Sequence, residues 1–240
     1  MQIYKSYLIC ATPRSGSFLL CEALKNTGLA GRPEEYFWRE DEPFWKERWG
    51  ASMYADYVAG AIQEGTTPNG VFGAKIMWSY FDDFVSKLRT IAGYEALPVL
   101  ELLATTFPDL HYIWITRRDK VRQAISHMKA LQSNVWAQNN TTPQFTGELH
   151  FDFAQIDGMV QSVELHERAW QNYFAGNSIQ PISVVYEELV PAYEETAIRL
   201  LHELRIPIPE QLTFAPRQMQ KQADALSEEW VQRYHKLKRL

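Results

Sequence analysis

The residues of this sequence best suited to chemistry begin at position 12. Thr12-Pro13-Arg14-Ser15-Gly16-Ser17 follows a short apolar run and leads, through Phe18, into a helical pattern. A turn between a buried strand and a helix N-terminus can hold an anion, because unpaired backbone N–H groups and the positive end of the helix dipole face the same point. Gly16 lets the backbone approach closely, Ser15 and Ser17 offer hydroxyls, and Arg14 adds a planar cationic fork. The alternative is an ordinary strand-to-helix turn with a serine cap. A nucleoside triphosphatase needs Gly-Lys-Ser/Thr at the end of such a loop, so that lysine and hydroxyl manage the β- and γ-phosphates and a magnesium ion. This loop ends Gly16-Ser17-Phe18, which disfavours triphosphate hydrolysis and leaves phosphate binding intact.

A second charged turn, Arg117-Arg118-Asp119, follows the β-rich run His111–Thr116. Taken alone it is either a second anion contact or a surface cluster that caps the next helix. Glu34 and Glu35 are adjacent acids, and by residue type they read as a solvated loop pair. Lys75 lies inside an otherwise apolar run; a buried ammonium is costly unless it meets an anion or carboxylate, although a lysine near a strand end can also snorkel to solvent. The histidines are scattered and no cysteine pair completes a zinc set, so no metal is expected. Cys10 and Cys21 read as two buried free thiols. Among eight tryptophans, Trp38, Trp45, Trp49 and Trp136 fall in irregular segments and are candidates to line a pocket, whereas Trp114 and Trp170 follow strand or helix periodicity and read as core.

These residues need elements to position them. Ser6–Ala11, Val71–Met77, His111–Thr116 and Ile182–Val185 read as strands. Helical spacing follows each: Leu20, Ala23 and Leu24, closed by Gly28; Phe81, Phe84, Val85 and Leu88; Val121, Ala124, Ile125 and Met128; Ala197, Leu200, Leu201 and Leu204. Pro98 opens a further short helix, Ile156 to Trp170 trace one face of a long one, and Trp230 and Tyr234 belong to a last one. Residues 33–49 read as irregular or partly helical, and 134–152, with Asn139-Asn140-Thr141-Thr142-Pro143, as a long loop able to act as a lid. Strands alternating with helices give an α/β fold: a P-loop-like three-layer architecture with a central parallel sheet flanked by helices, in one domain over 1–240. A net charge of −5 argues against nucleic acid as a partner. The opening apolar stretch, broken by Lys5 and Ser6, is too short for a signal core or membrane span, so the expected location is cytoplasmic.

Ala11-Thr12-Pro13-Arg14-Ser15-Gly16-Ser17 resembles the 5′-phosphosulfate loop of sulfotransferases, in particular the bacterial trehalose 2-sulfotransferase family. Gly31-Arg32-Pro33-Glu34-Glu35-Tyr36-Phe37, Pro68 to Trp78, Gln123-Ala124-Ile125-Ser126 and Gln222-Ala223-Asp224 through Trp230 resemble further blocks of that family, in the same order. The resemblance implies 3′-phosphoadenosine 5′-phosphosulfate (PAPS) as donor, with no metal. Thr12 to Phe18 would bind its 5′ end, and Arg117 and Ser126 its 3′-phosphate. Glu35 would be the general base, with Glu34 in reserve, and Glu34, Lys75, Trp38 and Trp136 are candidates for contact with the acceptor. The acceptor implied is a carbohydrate or glycolipid, such as trehalose, a trehalose glycolipid or a lipopolysaccharide sugar. Its walls are expected in 38–66 and 134–152, where the resemblance is weakest. A homodimer enters by family analogy alone, since no heptad seam is visible. A kinase-like enzyme would explain only the first loop, and a non-catalytic nucleotide-binding module would leave Glu35 unused.

Overall fold

Strand β1 (Lys5–Ala11) is buried along its whole length, because it is paired on both sides within a four-stranded sheet of order β2-β1-β3-β4. Its apolar residues therefore run on without alternation, as expected of a parallel strand covered on both faces. The computed structural model describes residues 3–137, 145–219 and 224–239. After β1 come α1 (Ser17–Asn26), α2 (Glu42–Trp49), α3 (Tyr54–Gly65), β2 (Val71–Met77), a 3₁₀ turn (Trp78–Tyr80), α4 (Phe81–Leu88), α5 (Val99–Thr106) and β3 (Leu110–Thr116). The chain continues with α6 (Lys120–Ser133), α7 (Phe153–Gly176), β4 (Ile182–Val185), α8 (Tyr186–Leu189), α9 (Tyr193–Glu203) and α10 (Ala225–Lys238). All three strand pairings are parallel, with Ile9 opposite both Lys75 and Ile113.

The period of two along β1 divides the core. Tyr7, Ile9 and Ala11 pack with Ile113, Ile115, α1 and α9 on one face. Leu8 and Cys10 pack with Phe72, Ala74, Ile76 and apolar residues of α3, α4, α5 and α7 on the other. A smaller cluster joins Ile125 and Met128 of α6 to Ile156 of α7 and Trp230 and Tyr234 of α10. From β1 the chain passes first to β2 on one side and later to β3 on the other, so the loops after β1 and β3 part company and leave a crevice at their carboxyl ends.

Trp170 ties the long helix α7 to that crevice. Its ring is fully buried and its indole N–H donates to the Ala11 carbonyl at 3.0 Å, directly before the anion loop. Trp170→Ala is expected to destabilise the protein by about 3–5 kcal/mol, as removal of a buried aromatic from a close-packed core does. A urea unfolding midpoint unchanged from the parent would contradict this account.

The elements expected from sequence are present, and Cys10 and Cys21 are buried free thiols. The reading of 33–49 as irregular or partly helical fits, with irregular chain to Asp41 and α2 after it. One element differs. Helix α3 was not expected; Gly60 and Gly65 weaken its local propensity, and tertiary packing uses them, because a Cβ at Gly60 would come within 2.6 Å of the Trp49 ring. The Asn139–Pro143 stretch lies outside the described residues.

Candidate active site

The turn after β1 is built to expose backbone donors. Ser15 N–H closes it on the Thr12 carbonyl at 3.2 Å, and Arg14 and Gly16 take left-handed φ values of 61° and 94° before α1 begins at Ser17. Glycine is needed at 16 twice over: the conformation is one L-residues rarely adopt, and a Cβ would lie 2.4 Å from Cδ2 of Tyr186. Gln123, from α6, braces the turn by donating to Thr12 Oγ1 at 2.9 Å and to the Pro13 carbonyl at 2.7 Å. The buried Ser15 hydroxyl has no hydrogen-bond partner among the described residues.

The turn after β3 meets this loop across the crevice. Arg117 directs Nη1 to the Arg14 carbonyl at 3.5 Å, and its guanidinium lies 4.6 Å from the centre of the Tyr186 ring. Arg14 donates through Nε to Ser126 Oγ at 3.0 Å and through Nη1 to the Trp136 carbonyl. Burial, and then the neighbouring Arg117, lowers the Arg14 pKa to about 10, and burial also lowers that of Arg117. Two desolvated cations side by side favour a bound anion. Buried Arg117 Nε has no hydrogen-bond partner among the described residues, and nearby Glu187 instead accepts from the backbone N–H groups of Arg118 and Asp119. Of the other basic side chains at the rim, Lys129 pairs with Asp224 at 2.7 Å and Arg122 with Glu228, while Arg217 donates to the Met219 and Val190 carbonyls and lies over the Tyr193 ring. The cavity has a volume of about 320 Å³, at the low end of the usual range for small-molecule sites.

Beside the loop, at the end of β2, lies a second polar cluster. Lys75 is fully buried, with its ammonium 3.5 Å from the centre of the Phe18 ring and 2.7 Å from Glu35 Oε2. The angle makes this last contact an ion pair rather than a directed hydrogen bond. Tyr80 donates to Glu35 Oε1 at 2.9 Å. The backbone is tied as well, since Lys75 N–H donates to the Glu34 carbonyl at 2.9 Å. Phe18 borders both the cavity and the Lys75 ammonium, so the two clusters share a wall.

The structure thus brings together Arg14, Gly16, Ser17, Phe18, Arg117, Ser126 and Trp136 on one cavity, with Thr12, Pro13 and Ser15 forming the loop behind it. Glu35 joins through Lys75 and Phe18. Other expected residues lie elsewhere. Glu34 turns away to pair with Lys25, and Lys75 has no exposed surface with which to reach a ligand. Trp38 is not among the cavity-lining residues; Trp45 and Trp49 stack on each other at 4.9 Å and pack against Tyr36. No residue of 38–66 borders the cavity, because α3 spends its apolar face on Tyr57, Val58 and Ala61 in the core. The longer loop fares differently: Val135, Trp136, Ala137, Phe145 and Leu149 all line it. Arg118 points outward to Glu188, and capping of α6 falls to Asp119, which accepts from Arg122 N–H at 2.8 Å.

Sequence reasoning missed Tyr80, Tyr186 and the bracing role of Gln123. Tyr80, three residues past the end of β2, looks like core in sequence, and only the Glu35 carboxylate brought to it from another loop distinguishes it. Among the described residues no cluster of histidine, cysteine, aspartate and glutamate could hold a metal, and no helix is long and apolar enough to cross a membrane.

A family model described as Stf0 sulphotransferase matches residues 6–237. Trehalose 2-sulfotransferase of Mycolicibacterium smegmatis is 29% identical, with 96% of this chain aligned to 94% of that protein. Trehalose 2-sulfotransferase of Mycobacterium tuberculosis is 26% identical over the same shares. Among solved structures, the sulfotransferase domain from the curacin biosynthetic pathway has a TM-score of 0.51 at 16% identity, covering 88% of this chain and 77% of that one, a likeness of fold alone.

Proposed function

The chain belongs to the Stf0 sulphotransferase family, and from that premise we propose that it transfers a sulfuryl group from PAPS to a hydroxyl of a carbohydrate, with Glu35 as general base. The observation that carries the donor assignment is the convergence of Arg14 and Arg117 on the crevice beside the left-handed Gly16 turn. The residues present suit a nucleotide with phosphates at both its 5′ and 3′ positions. An unpartnered Ser15 hydroxyl and a glycine with no room for a Cβ lie at the first turn, and an unpartnered Arg117 Nε at the second. Thr12 to Phe18 would hold the 5′ end, and Arg117 with Ser126 the 3′-phosphate. When bound, the donor supplies the sulfuryl group and leaves as the 3′,5′-bisphosphate.

Glu35 takes the acceptor proton as the acceptor oxygen bonds to sulfur, in line with the departing phosphate oxygen. Arg14 and the N-terminal amides of α1 would stabilise the negative charge that gathers on that oxygen. The carbohydrate class of the acceptor is supported by the two mycobacterial relatives, and Trp136, whose half-buried ring borders the cavity, offers an apolar face to a sugar.

Calorimetric titration tests the donor directly. 3′-Phosphoadenosine 5′-phosphate is expected to bind at least about 10-fold more tightly than adenosine 5′-phosphate, through charge-assisted contacts to its second phosphate. Preference for ATP with magnesium, or no binding of the bisphosphate, would overturn the proposal.

A further inference from the structure

Glu35 is held at both oxygens, by groups that come from a single stretch of chain. Lys75 is in β2 and Tyr80 on the 3₁₀ turn that follows it. The Tyr80 hydroxyl donates to Oε1 at 2.9 Å, the Lys75 ammonium sits 2.7 Å from Oε2, and the preceding peptide is bonded to the Lys75 N–H at 2.9 Å. We propose that Tyr80 is a positioning residue for Glu35, holding one carboxylate oxygen while Lys75 holds the other, so that the base meets the acceptor hydroxyl already aimed. This inference rests on the reading of Glu35 as the base.

The physical reason is entropy and geometry. A glutamate on an unbraced loop samples several rotamers, and ordering it at the moment of reaction costs free energy. A base fixed in advance avoids that cost, and displacement of a reacting group by about 1 Å can lower a rate about 100-fold. Tyr80 suits the role because it remains a donor: burial, and then the charge on Glu35, push its pKa well above the usual phenol value. Each carboxylate oxygen keeps a further lone pair, so Glu35 can accept the proton without releasing either partner.

A simpler role for Tyr80 is packing, since its ring touches both main core clusters. Tyr80→Phe retains the ring and removes only the hydroxyl. The expected result is a fall in kcat of about 10- to 100-fold, with acceptor KM and bisphosphate affinity within about 2-fold of the parent. Single-turnover measurement in a Glu35→Gln background separates the two roles: a group that acts only through Glu35 has nothing left to position, so adding Tyr80→Phe should change the residual rate by less than about 2-fold. The same fractional loss in both backgrounds, or an unchanged kcat for Tyr80→Phe alone, would overturn the positioning role while leaving Glu35 as base. Full turnover by Glu35→Gln alone would overturn both.

Discussion

Glu35→Gln is expected to lower kcat by about two to four orders of magnitude, the usual worth of a general base, while leaving affinity for 3′-phosphoadenosine 5′-phosphate within about 2-fold of the parent. The separation follows from geometry. Glu35 touches Lys75 and Tyr80 and does not line the cavity that Arg14 and Arg117 share, so the substitution removes the proposed proton acceptor without disturbing the cationic site. Glutamine keeps the size of the side chain and an oxygen for the Lys75 ammonium, but it leaves a fully buried cation facing a neutral amide. Removing one partner of a buried pair can cost about 3–5 kcal/mol, so a lower unfolding midpoint is expected alongside the fall in turnover. The bisphosphate titration separates the two effects: a folded protein that binds the nucleotide and does not turn over is one without its base. Normal turnover would remove Glu35 from the mechanism.

The second large effect is expected at Arg117. Arg117→Ala should weaken binding of the bisphosphate by about 10- to 100-fold and that of adenosine 5′-phosphate by less than about 2-fold, because on the proposed assignment the substitution removes one charge-assisted hydrogen bond to the 3′-phosphate. Stability should hold or rise slightly. Arg117 stands beside another desolvated guanidinium, and its removal relieves Arg14, which burial and Arg117 together hold down. The rim cations make the natural control, since Lys129 and Arg122 already have carboxylate partners and their removal should weaken the two nucleotides alike. Equal weakening of both nucleotides by Arg117→Ala would assign this arginine to general charge rather than to the 3′ position.

Much of the molecule is legible in its residues alone. The loop from Thr12 to Ser17 combines a backbone requirement with a steric one, and such positions tolerate few residue types, so they stand out in a single chain. The same holds for the strands, whose unbroken apolar runs follow from burial on both faces. Arg117 and Arg118 are distinguishable in sequence only by resemblance; in space one faces the crevice and the other pairs with Glu188 at the surface. Trp38, Trp45 and Trp49 show the opposite failure. An aromatic in an irregular segment looks like a ligand platform, yet Trp45 and Trp49 serve as packing for α3, which is itself hidden in the sequence because its two glycines disguise a helix.

By itself, the sequence determined the four strands and most of the helices between them, the turn after β1 with its glycine, and the family to which the blocks belong, because each depends on neighbours along the chain. Tertiary structure decided which charges remain available and which are consumed. Lys25 takes Glu34, Lys75 and Tyr80 take the two oxygens of Glu35, and Gln123 braces the loop from a position more than a hundred residues away. Ion pairs and hydrogen bonds act over a few ångströms in space, and those between distant parts of a chain come into being only when the sheet sets the ends of β1, β2 and β3 side by side.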